Sequence, residues 1–169
     1  DIDRDGDLDF VTVEMLSRQP ERSLRQSSPM SPKSRAIGEF MRREDVARNG
    51  LYLNRGDGTY AEVAWFGGVA ATDWSWTPIF VDVDLDGYED LLISNGHLHD
   101  VNDGDSGVRA AGVPQEMKRQ MLAQYPLLDP PKVAFRNCGN ETFEDVSDAW
   151  GFNSRLIVHG MALADLDGG

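Results

Sequence analysis

The chain has 169 residues and a formal net charge of −13. This acidity argues against nucleic-acid binding, which needs basic side chains to neutralise phosphates. The length suffices for one domain with a sizeable core. The single Cys138 excludes an internal disulfide. No run of about 20 apolar residues is present, which argues against a membrane span.

The chain begins with a nine-residue acidic loop. Four of its five aspartates, at positions 1, 3, 5 and 9, have the spacing of metal ligands, and Gly6 permits the sharp turn that directs them to one centre. An all-oxygen set without His or Cys argues against zinc and copper and favours Ca²⁺ over Mg²⁺, which keeps its waters. A merely solvated turn is the alternative. The predicted ligands are the side chains of Asp1, Asp3, Asp5 and Asp9 and the carbonyl of Asp7.

A short β-prone run at 10–13 is followed by an insertion at about 14–50. The insertion is locally basic, with Arg18, Arg22 and Arg25 in its first part. Its Ser- and Pro-rich front half predicts a loop, and apolar residues from Ile37 to Val46 predict a short helix. Next, residues 51–54 and 59–64 are β-prone runs separated by the turn residues 56–58, which predicts a hairpin.

The acidic loop recurs at 82–90. Apolar runs at 79–81 and 91–93 predict a strand on each side (about 77–82 and 90–94), whereas an EF-hand or dockerin loop is flanked by helices. Position 12, a Glu in the EF-hand, is Thr12 in one copy and Ile93 in the other. The predicted ligands of the second loop are the side chains of Asp82, Asp84, Asp86 and Asp90 and the carbonyl of Tyr88.

A second insertion at about 95–131 precedes another predicted hairpin, with strands at 133–137 and 142–147. Pro114 to Tyr125 is predicted to be a helix with Met117 and Met121 on one face. We interpret both insertions as decorations of the sheet rim, and a surface for a protein or glycan partner is the alternative. A third acidic loop begins at Asp165 and Asp167, which are further candidate metal ligands, but Gly169 takes the fifth position, where the other two loops have Asp.

The chain repeats itself with a shift of 83 residues. Residues 54–63 align with 137–146, and Asp82 aligns with Asp165. Four antiparallel strands per unit predict β-propeller blades. We therefore expect an all-β fold: a single incomplete propeller region over 1–169, with one blade lacking its first strand (1–64), one complete blade (65–147) and the start of a third (148–169). A closed propeller takes at least about four blades, so we expect a piece of a longer protein.

The ordered series of motifs resembles the FG-GAP/VCBS repeat proteins, whose propeller blades carry Ca²⁺. The closest likeness is to the bacterial relatives of cartilage acidic protein that occur with an ASPIC/UnbV module. The residues that carry the resemblance are 51–60, 72–76, the 82–90 loop, 94–97, 137–146 and 159–165. The resemblance implies Ca²⁺ binding by Asp82, Asp84, Asp86 and Asp90 and by Asp1, Asp3, Asp5 and Asp9.

Several residues suggest catalysis without a supporting pattern. His97, His99 and His159 lack a partner at fixed spacing, so we interpret them as surface or turn residues, and we expect Trp74 and Trp76 to pack between blades. The sequence therefore predicts a non-enzymatic Ca²⁺-binding module of a secreted, periplasmic or cell-surface protein that acts in adhesion or in protein or glycan recognition. The alternative is a scaffold or substrate-binding region of a larger secreted enzyme.

Overall fold

The computed structural model describes residues 1–26, 47–166 and 168 and contains two antiparallel sheets. This confirms the expected all-β class. The first sheet has three strands: β1 (Phe10–Thr12), β2 (Gly50–Asn54) and β3 (Tyr60–Glu62). The second sheet has four strands: β4 (Ser75–Val81), β5 (Asp90–Asn95), β6 (Val133–Asn137) and β7 (Phe143–Asp145). In both sheets the strands lie side by side in chain order.

The two hairpins have the same register. Asn54 lies opposite Tyr60 in the first, and Asn137 lies opposite Phe143, 83 residues later, in the second. The amide after each Asn closes its turn on a threonine carbonyl, at 3.1 Å in the first turn and 2.9 Å in the second. In both, the Asn side-chain oxygen accepts from the glycine two residues on, at 3.1 and 2.9 Å. The predicted equivalence of the hairpins is therefore confirmed.

The two sheets share one hydrophobic core. Leu51 and Leu53 of the first sheet are buried in the same cluster as side chains of β5, β6 and β7, and Val11 and Ala61 pack against that cluster. Ile2, from the first acidic loop, is 1% exposed and belongs to the same core. The core members from the second sheet are Leu91, Ile93, Val133, Phe135 and Phe143. The arrangement of the sheets as propeller blades, and the division of the chain at 64 and 147, remain predictions.

Hydrogen bonds also join the sheets. The Asn137 side-chain nitrogen donates to the carbonyl of Ile2 at 2.9 Å and to that of Glu89 at 3.2 Å. The amide of Phe143 donates to the carbonyl of Gly67 at 2.9 Å. Asn137 is 1% exposed, so removing its side chain would leave both carbonyls without a hydrogen-bond donor at a site that water reaches poorly.

Three short helices lie in the insertions: α1 (Pro20–Arg25), α2 (Gly104–Ala110) and α3 (Gln115–Leu122). The loop predicted for the front of the first insertion is wrong at α1, where a proline in the first turn and Glu21 favour a helix start. The helix predicted over 114–125 is confirmed as α3. Helix α2 was not predicted, although Asp103 caps it by accepting from the Ser106 amide at 2.8 Å. The helix predicted between Ile37 and Val46 lies outside the described residues.

We predict that Asn137→Ala lowers the free energy of unfolding by about 1–2 kcal/mol more than Asn54→Ala. The two residues occupy equivalent turn positions, but the Asn54 side-chain nitrogen donates to the carbonyl of Leu8, within its own repeat, at 3.4 Å. Urea denaturation at low protein concentration measures both variants. Equal losses would mean that the bond between the sheets contributes nothing to stability.

Candidate metal centre

The two acidic loops have the same backbone conformation. The glycine at position 6 has φ of 94° in the first loop and 92° in the second, which suits a residue without Cβ. Position 4 is also left-handed, at Arg4 (φ 66°) and Leu85 (φ 61°), where an L side chain is strained. Thus the sequence repeat is also a repeat in three dimensions.

Side chains of each loop accept hydrogen bonds from amides of the same loop. Asp82 accepts from Gly87 at 2.9 Å, and Asp86 accepts from Tyr88 at 2.8 Å. In the first loop Asp1 accepts from Gly6 at 3.3 Å, and Asp5 accepts from Asp7 at 2.8 Å. These bonds hold the carboxylates over the turn.

Each loop gathers three carboxylates. One oxygen from each of Asp1, Asp3 and Asp9 lies within 4.8 Å of the others, and Asp82, Asp84 and Asp86 form a second such group. Of the other predicted ligands, Asp5, Asp7, Tyr88 and Asp90 lie outside these two groups. Like charges this close repel each other, and a hard cation with oxygen ligands would offset that repulsion. The donor set therefore fits Ca²⁺.

The aspartate at position 9 ties its loop to the hairpin. Asp90, which is 0% exposed, accepts from Val83 at 2.9 Å through one oxygen and from Asn137 at 2.9 Å through the other. Asp9 does the same with Ile2 at 2.7 Å and Asn54 at 2.9 Å. Sequence reasoning assigned these residues a ligand role only. A carboxylate oxygen has two lone pairs, so this framework role is compatible with metal binding.

Burial raises the pKa of one aspartate in each loop. Desolvation raises the pKa of Asp90; hydrogen bonds from Asn137 and Val83 oppose this rise, and the negative charges of Asp84 and Asp86 add to it. Desolvation also raises the pKa of Asp3, where the nearby charges of Asp9 and Asp5 act in the same direction. Both rises reflect the cost of holding negative charge at partly desolvated positions.

The third loop begins in the same way. Asp165 accepts from the Gly168 amide at 2.8 Å, and Gly168 has φ of 76° at the position equivalent to Leu85. Asp167 lies outside the described residues. The start of the turn is therefore present, and its metal binding remains a prediction.

The histidines contact aromatic rings and backbone carbonyls. His97 stacks on Trp74 with ring centroids 4.2 Å apart, and His159 packs against Trp76 at 4.6 Å. The Nδ1 atoms of His97 and His99 lie 2.7 Å and 3.1 Å from backbone carbonyl oxygens. The two tryptophans are not members of the core shared by the sheets, and the expectation that they pack between blades remains a prediction.

Sequence reasoning missed a buried ionic network at the base of the first insertion. Arg22 of α1 donates to Asp73 at 3.0 Å and to Asp100 at 3.1 Å, and Ser17 donates to Asp73 at 2.9 Å. Asp73 and Asp100 are about 5% exposed, and one oxygen of Asp100 has no hydrogen-bond partner in the described part of the chain. The network anchors α1 between β4 and the second insertion. No sequence spacing indicated it, because the three residues are far apart in the chain.

A cleft of about 400 Å³ opens beside this network. Three arginines contribute to it, and each of them is paired with at least one aspartate, Arg22 with Asp73 and Asp100. Two of them are paired at the surface: Arg18 with Asp145, and Arg155 with Asp129 at 3.4 Å. The lining residues are Arg18, Gln19, Arg22, Asp73, Leu127, Asp129, Pro130, Pro131 and Arg155.

We predict that Leu85→Asn raises the free energy of unfolding by about 1 kcal/mol, because asparagine tolerates the left-handed conformation better than leucine. Leu85 is 85% exposed, so little packing is lost. The matched control is Leu24→Asn, an 87% exposed leucine in a helix, which should be neutral or slightly destabilising. Urea denaturation compares them, and a loss of stability in Leu85→Asn would contradict the strain argument.

Comparison with known families supports part of the resemblance. Residues 39–93 match the FG-GAP-like repeat, a span that includes β2, β3, β4 and the second acidic loop. No curated protein and no solved structure gives a significant match. Among the described residues, no helix has the length and apolar character needed to cross a bilayer. The chain thus carries an FG-GAP-like repeat at 39–93, and the closer likeness to the cartilage-acidic-protein relatives remains a prediction.

Proposed function

We propose that this chain is a non-enzymatic Ca²⁺-binding propeller module of a secreted or cell-surface protein, acting in adhesion or in recognition of a protein or glycan. One observation carries the proposal: two loops 81 residues apart gather three carboxylates each, in the same backbone conformation. Holding carboxylates this close costs electrostatic energy. Its occurrence in both loops favours a shared ligand over two unrelated solvated turns.

Ca²⁺ would be held by oxygen atoms alone. In the second loop the proposed ligands are the side chains of Asp82, Asp84, Asp86 and Asp90 and the carbonyl of Tyr88; in the first they are Asp1, Asp3, Asp5 and Asp9 with the carbonyl of Asp7. The ion would supply positive charge where the carboxylates repel each other. It would thereby fix the loop joining β4 to β5 and position the strands on either side.

The proposed location follows from the repeat and from the metal. FG-GAP repeats are typical of extracellular proteins, and residues 39–93 match that repeat. Weak Ca²⁺ sites fill only where the ion is plentiful, as it is outside the cell.

The cleft is the proposed place for a ligand. Arg155 is 62% exposed in its side chain, so its pair with Asp129 is a weak surface bond that an acidic ligand group could replace. Proline and leucine side chains beside it offer an apolar surface. A protein or glycan ligand that combines an acidic group with apolar surface fits this site.

Calorimetric titration with Ca²⁺ tests the metal site. We predict that Asp84→Ala loses binding at the second loop and keeps binding at the first, because a hard cation cannot replace a missing carboxylate from solvent at equal affinity. Asp105→Ala, an exposed aspartate in the first turn of α2, is the matched control and should bind as the wild type does. Unchanged stoichiometry and affinity in Asp84→Ala would refute the assignment.

Thermal melting tests the role of the ion in stability. A ligand that binds only the folded state stabilises it by about 2.7 kcal/mol at a hundredfold excess over Kd. We therefore predict a lower melting temperature in chelator, full recovery in millimolar Ca²⁺ and less recovery in Mg²⁺. High NaCl should restore little, because screening weakens repulsion without supplying coordination. Equal melting temperatures in chelator and Ca²⁺ would exclude a structural metal.

A further inference from the structure

The chain contains one Asn-x-Thr motif, and it lies at the tip of the second hairpin. The motif is Asn140–Glu141–Thr142, in the turn between β6 and β7, and no other asparagine of the sequence has Ser or Thr two residues later. An asparagine in this pattern is the acceptor for N-linked glycans, provided that the middle residue is not proline, and such acceptors lie in surface loops of secreted proteins. The motif is short, so its surroundings decide whether it can function.

The turn is open to solvent, and a neighbouring sheet does not close it. Asn140 and the residues on either side of it are exposed, although the first sheet packs against the strands of the same hairpin. In the first hairpin the equivalent residue, Asp57, and its neighbours are also exposed, and there the next sheet of the series is present. A sheet that followed the second one in the same way would therefore leave Asn140 accessible to a glycosyltransferase.

The turn holds the side-chain oxygen of Asn140 and leaves its nitrogen available. The oxygen accepts from the Thr142 amide at 3.2 Å and from the Thr142 hydroxyl at 2.5 Å. The side-chain nitrogen, to which a glycan is attached, donates to no other residue in the described part of the chain. The hydroxyl that the motif requires thus lies against the asparagine side chain. A transferase meets both groups together and displaces no hydrogen bond of the nitrogen.

The first hairpin shows what the fold alone requires at this position. In its turn one Asp57 oxygen accepts from the Thr59 amide at 2.9 Å and from the Thr59 hydroxyl at 2.6 Å. An oxygen acceptor therefore closes both turns, and aspartate serves as well as asparagine. The match also fixes the orientation of the Asn140 side chain, because the atom that faces the Thr142 amide has to be an acceptor. What asparagine adds at position 140 is a nitrogen that the turn does not use.

We propose that Asn140 is an acceptor site for N-linked glycosylation, an inference that rests on the proposed function only for the secreted or cell-surface location. In the transfer, the side-chain nitrogen of Asn140 forms a bond to the anomeric carbon of a lipid-diphosphate-linked oligosaccharide. The bond from that carbon to the diphosphate oxygen breaks, the lipid diphosphate leaves with the electron pair, and the nitrogen loses one proton to a base of the transferase. The glycan projects from the same end of the sheet as the second acidic loop, because Asn137, just before the turn, donates to Asp90.

Mass spectrometry of the full chain, secreted from a eukaryotic cell behind a cleavable signal, tests the proposal. The wild type should carry one glycan at Asn140, and peptide N-glycosidase should remove it and leave aspartate at that position. Asn140→Asp is the matched variant, because it keeps the oxygen acceptor that Asp57 supplies in the first hairpin. It should lose the glycan and melt at the same temperature as the deglycosylated wild type. Thr142→Ser should keep the glycan and Thr142→Val should lose it, because the motif requires a hydroxyl.

A gain-of-site variant shows that the transferase can act on this chain. Asp57→Asn completes the same motif in the first hairpin and should add a second glycan, since that turn has the same hydrogen bonds and exposure. A secreted wild type without a glycan at Asn140 overturns the proposal, and so does an Asp57→Asn chain that is modified at position 57 alone. The added signal imposes secretion, and Ca²⁺ titration of the same preparation measures the acidic loops separately. Failure at Asn140 is therefore distinguishable from failure of the proposed Ca²⁺-binding function.

Discussion

The fold depends on a pair of hydrogen bonds that occurs in both repeats. In each repeat the carboxylate at position 9 of the acidic loop accepts from backbone amides of two separate segments. Asp90 joins the amide of Val83, at the start of its loop, to that of Asn137, at the end of β6. Asp9 joins Ile2 and Asn54 in the same way. Each carboxylate therefore fixes both the loop conformation and the distance from loop to hairpin. A metal site built on this framework would be positioned by the sheet rather than by a flexible turn.

The two repeats share this framework but differ in what surrounds it. Asn137 bridges to the preceding repeat, whereas the bonds of Asn54 to other described residues lie within its own repeat. Ile2 is buried between the sheets and Val83 is exposed. The differences have one cause. The first sheet contacts the second through one side of its strands, whereas the second sheet contacts the first through the opposite side. Identical local chemistry thus gives buried or exposed residues according to position in the series.

Much of this architecture follows from local sequence. Strands β4 and β5 are apolar runs on either side of a loop with fixed Asp and Gly spacing. Both hairpin turns contain glycine in the left-handed conformation, which few other residues tolerate. The gathering of the carboxylates at positions 1 and 3 of each loop follows from the same spacing, whereas the third carboxylate differs: it is Asp9 in the first loop and Asp86 in the second. Short-range chemistry determines these features, so they could be predicted without knowledge of the tertiary fold.

Other features depend on contacts between distant segments. The bonds from Arg22 to Asp73 and Asp100 join three parts of the chain, and no periodicity relates them. Trp74 and Trp76 have the character of core residues, yet they pack on His97 and His159 rather than between the sheets. The framework role of Asp90 was hidden for a similar reason: a carboxylate in an acidic loop suggests a ligand, and its second partner lies 47 residues away.

The insertions leave the sheets at equivalent places, between the second and third strands of each unit, and span residues 13–49 and 96–132, 37 residues each. They meet through the bridge between Gln26 and Asp103 and through the bond from Arg22 to Asp100. Both are attached to strands whose register is set by the hairpins and the acidic loops. The sequence of these two insertions can therefore change without changing the register of the sheets.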